Sequence, residues 1–176
     1  MDIPNERPNR KEISATPGPP GATHSLTEGD LIIGKANASA IGTLVERTTG
    51  CTMLVHLPEG YKPAQVAPAL AAKIQTLPSA LRRSLTWDQS VEMRDWKQVR
   101  MATDMAIFFC DPHAPWQRGT NENTNGLLRQ YFPKGTDLSV HSEADLDWVA
   151  AELNDRPRKR LAFKKPIEQI GPLLLR

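Results

Sequence analysis

The strongest constraint on the fold of this chain is a run of three short segments with strand-type alternation. Residues 31–33 are apolar, residues 41–46 alternate in steps of two, and residues 53–57 do the same. Period-two patterns of this kind predict β-strands, and the turn-forming residues at 37–39 and 49–50 predict short connections between them. Three consecutive strands with short connections are expected to form an antiparallel meander.

Beyond residue 63 the spacing of apolar residues alternates between helix type and strand type. A helix is predicted over residues 66–77, stopping before Pro78, followed by a strand at 85–87, a helix around 93–99 and a wholly buried strand at 106–110. Thr120 and Ser142 are the expected N-caps of two further helices. The order βββαβαβα predicts an α/β protein of the RNase H-like type: a mixed five-stranded sheet flanked by helices, with the first and fourth strands side by side.

Composition and charge divide the chain into unlike parts. Residues 1–27 hold five of the 15 prolines and few apolar residues, which predicts a disordered leader. Residues 28–170 are expected to form one folded domain, of which residues 28–153 have a formal charge of −3. The C-terminal segment 154–176 is basic, with six bases against one acid in residues 154–165. A solvated surface and a phosphate-contacting segment remain alternative interpretations of that basic run.

The cysteine content and the hydropathy of the sequence indicate in which cellular compartment the protein is expected. Cys51 and Cys110 are too few for a four-cysteine zinc site or the disulfide framework of a small secreted domain, and buried, inert thiols are expected. No run of apolar residues approaches the roughly 18 needed to cross a bilayer, and the N-terminus lacks the apolar region of a signal peptide. A soluble, cytoplasmic protein without a membrane partner is therefore predicted.

Three acidic residues stand where a predicted strand or helix meets a polar loop. Asp30 is placed at the start of the first strand, Asp88 at the end of the fourth, and Glu122 in the first turn of the helix that follows Thr120. In the predicted sheet these side chains converge, and converging carboxylates repel one another unless a divalent cation neutralises them. Hard oxygen ligands favour Mg²⁺ or Mn²⁺ over zinc. Two such ions would promote in-line attack on a phosphodiester, which predicts that the three acids act as metal ligands and catalytic residues in DNA cleavage or strand transfer.

Other residues near these acids have more than one interpretation. Glu28 and Glu92 are either partners of the three acids or ordinary surface acids, and the second interpretation is favoured. On the predicted helix, Asn125 and Arg129 follow Glu122 along one face; phosphate contact and pairing with an acid are equally good interpretations of Arg129. The full set of predicted DNA-binding residues is Arg118, Asn121, Asn125, Arg129, Arg158, Lys159, Arg160, Lys164 and Lys165.

Four segments carry a resemblance to a known family. Residues 28–35, 39–47 and 85–89 match its pattern, and the block CDPHAPWQRGTNENTNGLLRQYFPKG at 110–135 matches it most specifically. These segments, together with the 33 residues between Asp88 and Glu122, resemble the integrase core of the insertion-sequence-thirty family of bacterial transposases, over about residues 28 to 170. The resemblance implies that Asp30, Asp88 and Glu122 are a DDE triad with two Mg²⁺ or Mn²⁺ ions. It also implies a polynucleotidyl transferase that acts on double-stranded DNA, cutting element ends and joining them to a target, in a homo-oligomeric assembly.

The chain departs from the family pattern in two places. Leu26-Thr27 stand where family members have His-Trp, and the leader has no helix-turn-helix pattern for reading inverted repeats, so an N-terminally truncated copy is expected. Ser90 replaces a glycine and would be strained if that position needs a positive φ. Two alternative functions follow: a catalytically silent remnant that binds DNA or intact transposase, and a stand-alone nuclease or resolvase.

Overall fold

Five strands form one mixed sheet in the computed structural model, which describes residues 26–88, 90–110 and 119–174. The strands are β1 (Leu26–Ile33), β2 (Ala40–Glu46), β3 (Thr52–His56), β4 (Ser84–Trp87) and β5 (Ala106–Phe109). The helices are α1 (Pro63–Gln75), α2 (Trp96–Thr103), α3 (Gly119–Leu128), α4 (Glu143–Asn154) and α5 (Pro166–Leu174).

The strand order in the sheet is β3-β2-β1-β4-β5. The meander β1-β2-β3 is antiparallel, whereas β4 runs parallel to both of its neighbours, β1 and β5. The predicted meander and the predicted pairing of the first and fourth strands are both confirmed. This order brings the ends of β1 and β4 together in the middle of the sheet.

Two apolar cores lie on opposite faces of the sheet. The α1/α2 core combines Leu44, Val55, Leu70, Leu85, Trp87 and Val99 with further buried residues of those elements. The α3/α4 core combines Ile32, Ile41, Leu54, Leu128, Phe132, Leu146 and Leu153. Because helices cover both faces, every residue of β2 is buried, and the structure has three layers, with the sheet between two layers of helices.

Gly29 fixes which side chains of β1 face each core. A Cβ at this position would lie 2.1 Å from the ring of the fully buried Trp87, so only glycine fits there. Gly29 therefore faces the α1/α2 core. Since successive side chains of a strand point to opposite faces, Glu28 and Asp30 face α3 and α4.

The first strand is longer than the sequence pattern indicates. β1 begins at Leu26, so Leu26 and Thr27 of the predicted leader pair with Ser84 and Leu85 of β4. Asp30 consequently lies inside the strand, and its prediction as the first strand residue is wrong. Residues 1–25, which make up the rest of the predicted leader, lie outside the described residues.

Two other elements differ from prediction at their edges. β5 was expected to be wholly buried, but it is an edge strand with Ala106 exposed and with Ile107 and Phe109 buried. α3 begins at Gly119, so Thr120 belongs to the first helical turn instead of serving as N-cap, and the helix ends at Leu128.

The helices after α3 divide into one that was predicted and one that was not. α4 has Ser142 as N-cap with Asp145 completing a capping box, and it buries the four predicted residues Leu146, Val149, Ala150 and Leu153. α5 was missed, because it begins with one proline and contains another, Pro172. None of the helices in the described ranges is long and apolar enough to span a bilayer.

The two cysteines differ in burial. Cys110 is buried as predicted, whereas Cys51 is only partly buried, and neither forms a disulfide. Burial raises the pKa of the Cys51 thiol to about 11, with a smaller contribution in the same direction from the nearby Glu46 carboxylate. Cys51 is therefore protonated and weakly nucleophilic at neutral pH.

Candidate active site

Asp30 lies on β1, and Asp88 directly follows the neighbouring strand β4. The parallel pairing of β1 with β4 runs from Leu26 opposite Ser84 to Glu28 opposite Thr86. Side chains two residues apart on a strand share a face, so Asp30 lies on the face covered by α3, as Glu28 does. Extending the register by two residues predicts that Asp88 comes level with Asp30.

A short turn holds Asp88 directly after β4. The backbone N–H of Ser90 donates to Asp88 Oδ1 at 3.1 Å, which orients the carboxylate where the strand ends. Ser90 has φ −80°, an ordinary value for an L-residue. The strain considered for the serine that replaces the family's glycine is therefore absent.

A helical asparagine orients the carboxylate of Asp30. Asn125 Nδ2 donates to Asp30 Oδ2 at 3.0 Å, and Thr43 Oγ1 lies 3.2 Å from both the Asp30 carbonyl oxygen and Asn121 Oδ1. These bonds connect β1, β2 and α3 at the level of Asp30. They position α3 on the strand that carries the first acid.

Glu28 is the second anchor for α3. It is fully buried, with Oε1 2.8 Å from Arg47 Nε and Oε2 accepting from the backbone N–H of Asn121 at 2.9 Å. A carboxylate that lies against the first turn of a helix accepts a hydrogen bond from an otherwise unpaired backbone N–H and interacts favourably with the helix dipole. The favoured interpretation of Glu28 as a surface acid was wrong. Its position two residues before Asp30 indicates the same strand face, but the partners that bury it, Arg47 and the Asn121 N–H, are set by the fold.

Glu122 lies on α3 between the two residues that anchor this helix. Its neighbour Asn121 bonds Glu28, and Asn125, which follows Glu122 by three residues, bonds Asp30. The Glu122 side chain itself is exposed. In the described parts of the chain no three side chains of His, Cys, Asp or Glu are gathered closely enough to hold a metal ion. The structure thus places Asp30 on β1 and Asp88 directly after the adjacent β4, and it sets the helix of Glu122 beside Asp30.

Three predicted DNA-binding residues on or directly after α3 bond to the protein itself. Asn121 is fully buried and Asn125 bonds Asp30. Arg129, which directly follows α3, donates to the carbonyl oxygens of Ile33 at 3.1 Å and Phe132 at 3.3 Å. These contacts hold α3 and the residue after it on the sheet. Arg118 lies outside the described residues.

The predicted DNA-binding residues of the C-terminal segment divide into bonded and exposed side chains. Arg158 donates to the carbonyl oxygen of Leu153, and Arg160 donates to main-chain carbonyls of the turn after β2. The Lys165 ammonium lies 2.8 Å from an Asp155 carboxylate oxygen, and this contact raises the pKa of Lys165. Lys159 and Lys164 are exposed.

A basic groove lies beside the first turn of α3. Its volume is about 470 Å³, and four of the residues that line it are basic: Arg47, Arg158, Lys159 and Arg160. Sequence reasoning missed Arg47, because it lies more than one hundred residues before the basic segment. We refer to this feature below as the basic groove.

The sheet order, with helices on both faces, defines an RNase H-like fold. Solved structures share this fold. The catalytic core domain of BIV integrase matches with a TM-score of 0.57 and 18% identity, over 82% of this chain and 92% of that one. A chain of the simian T-cell lymphotropic virus intasome matches with the same TM-score and identity, over 74% of this chain and 48% of that one. No protein-family model matches the chain.

Sequence relatives identify the family within this class. The chain is 51% identical to the transposase for insertion sequence element IS1086 of Cupriavidus metallidurans over 150 residues, which is 84% of this chain and 43% of the relative. It is 52% identical to transposase InsI for insertion sequence element IS30A of Escherichia coli over 81% of this chain and 37% of the relative. The chain belongs to the IS30 family of transposases. It spans less than half the length of these two relatives.

Proposed function

We propose that this chain is the catalytic domain of a DDE transposase, which cuts DNA strands at the ends of an insertion sequence and transfers them to a target in a metal-dependent reaction. The observation that carries the proposal is the placement of Asp30 on β1 and of Asp88 directly after the adjacent β4, next to a helix that is bonded to β1 at both Glu28 and Asp30. The transposases at 51 and 52% identity support the same activity.

Asp30, Asp88 and Glu122 are the proposed metal ligands. Their oxygen donors suit a hard divalent cation such as Mg²⁺ or Mn²⁺, and Asp30 stands on β1 while Asp88 directly follows the adjacent β4. When bound, two such ions would activate a water or a 3′-hydroxyl and stabilise the leaving oxygen. Glu122 is exposed, so its side chain has to turn toward Asp30 to complete the set.

Neighbouring residues hold the carboxylates of Asp30 and Asp88 in fixed orientations, as metal binding requires. Asn125 fixes one oxygen of Asp30, and the Ser90 N–H fixes one oxygen of Asp88. Glu28 holds the first turn of α3 and with it the backbone of Glu122. Ligands held in place before binding lose less side-chain entropy when the metal and the DNA arrive.

Double-stranded DNA is the proposed partner, bound as element ends and as target. The exposed lysines Lys159 and Lys164 are suited to backbone phosphates, since such contacts need only a positive charge within reach. A homo-oligomer is proposed for the active assembly, because two element ends require two active sites.

The proposal is tested by incubating the protein with DNA that carries the element ends and Mn²⁺, beside Asp88→Asn. Cleavage is expected from the wild type and should fall at least 100-fold in Asp88→Asn, since a neutral amide replaces a ligand carboxylate. Asp104→Asn is the matched control: Asp104 is exposed at the end of α2 with φ 57°, where asparagine is readily accommodated. Cleavage that survives Asp88→Asn would contradict the assigned site. DNA binding without cleavage by any of the three proteins would favour the silent remnant.

A further inference from the structure

The basic groove lies on the side of α3 that faces away from the acids. Residues 119, 120, 123, 124 and 127 of the helix line it, and at 3.6 residues per turn these positions share one flank. Asn125, which bonds Asp30, lies on the opposite flank. A ligand in the groove is therefore separated from Asp30 by the body of the helix.

The cationic side chains of the groove are held in place by the fold. Arg160 Nη1 donates to the carbonyl oxygens of Arg47 and Thr48 at 3.3 and 3.2 Å. Gly50, with φ +71°, lets the guanidinium of Arg160 approach the turn so closely that a Cβ there would lie 2.5 Å from Nη2. Arg158 Nη2 donates to the Leu153 carbonyl oxygen at 3.0 Å. These anchored cations can bind an anion with little further loss of side-chain entropy.

The described residues that line the groove include no acid to balance its positive charge. Glu28, which pairs with Arg47, is itself fully buried. Partial burial lowers the pKa of Arg158, and the neighbouring cations Arg156 and Arg160 lower it further. Positive charges that repel one another at a partly buried site favour the binding of an anion.

Arginine guanidinium groups match the oxygens of a phosphate in pairs of hydrogen bonds. The groove is also open along the helix and exposes Lys159, which suits a chain of phosphates better than a single enclosed anion. We propose that the basic groove is a second DNA subsite, which binds backbone phosphates away from the scissile bond on the far flank of α3. This inference rests on the proposed function, because it takes the bound phosphates to be those of DNA.

The subsite is tested by DNA binding without cleavage, in EDTA, with Lys159→Ala and Lys97→Ala. Both lysines are exposed and carry the same charge, but Lys159 lines the groove and Lys97 lies on α2. Lys159→Ala is expected to weaken binding of a double-stranded oligonucleotide several-fold and to reduce the slope of log affinity against log salt by about 0.9, the value for one phosphate contact. Lys97→Ala should leave the slope nearly unchanged.

Equal effects of the two substitutions would overturn the proposal and leave only a diffuse basic surface. A second arm uses inorganic phosphate and thermal unfolding. Stabilisation of the wild type by phosphate that is lost in Lys159→Ala, combined with equal DNA binding by both variants, would indicate a small-anion site and would also overturn it. Because no step depends on metal or cleavage, the outcome is independent of whether the chain is active.

Discussion

Glu28 is fully buried between β1 and the first turn of α3, where its two oxygens meet Arg47 and the Asn121 N–H. Asp30 and Asp88 were singled out from the sequence because acids next to predicted strands are visible in a hydropathy pattern. The role of Glu28 could not be predicted in this way, because the burial of a charged residue depends on which partners the fold brings to it. Arg129 shows the same limit, since its carbonyl partners Ile33 and Phe132 are set by the fold of the chain.

Glu28 is expected to act as a positioning residue for Glu122. Glu28→Gln keeps the shape and removes the charge, so we expect a loss of about 2 kcal/mol in the free energy of unfolding. This is below the 3–5 kcal/mol typical of breaking a buried ion pair, because Arg47 is 39% exposed. The cleavage rate should fall at least tenfold at saturating DNA, with the Kd for DNA unchanged.

The matched control for Glu28→Gln is Glu46→Gln. Glu46 is also buried, and its oxygens accept from the N–H groups of Thr48 and Thr49, so its loss should lower stability. Cleavage per folded molecule should remain near the wild-type rate in Glu46→Gln. If both variants lose cleavage only in proportion to their loss of folded protein, Glu28 has a structural role alone.

At the scale of elements, local signals were sufficient for some helices and not for others. Ser142 and Asp145 mark the start of α4 in the sequence, and the structure has the capping box there. α3 was also expected, but its anchoring to β1 through Asn121 and Asn125 depends on contacts more than 90 residues apart. Such contacts leave no periodic trace, so the sequence indicated the helix without indicating its attachment.

The α4 cap carries a stability prediction. Ser142→Ala removes the side-chain acceptor for the Asp145 N–H and should lower the free energy of unfolding by about 1 kcal/mol. The N–H and hydroxyl of Ser142 lower the pKa of Asp145, so the contribution of the ionised carboxylate is present above the ordinary carboxyl pKa and is lost as the pH falls through the lowered one. Denaturant titrations at neutral and acidic pH should show the difference between wild type and Asp145→Asn shrinking in acid. A difference that grows on acidification would contradict this account.

For the whole molecule, the order of strands and helices followed from the periodicity of apolar residues, and the sheet order followed from that sequence of elements. The basic segment was visible in the charge distribution. The charge distribution did not show that this segment packs beside the first turn of α3, where Arg158 and Arg160 line the same groove as Arg47. Composition carries no information on which distant turn a segment packs against. This packing places the proposed DNA subsite on one flank of α3, and the body of the helix separates it from Asp30 on the other flank.

Asp30, Asp88 and Glu122 are proposed to form one metal site. Anomalous diffraction from crystals of the chain with Mn²⁺ and DNA tests this proposal most directly. We predict Mn²⁺ peaks bound by the carboxylates of Asp30 and Asp88, with the Glu122 side chain turned toward them from its exposed position, and no such peaks in Asp88→Asn crystals. Mn²⁺ bound elsewhere, with these three carboxylates unliganded in the presence of DNA, would contradict the proposal.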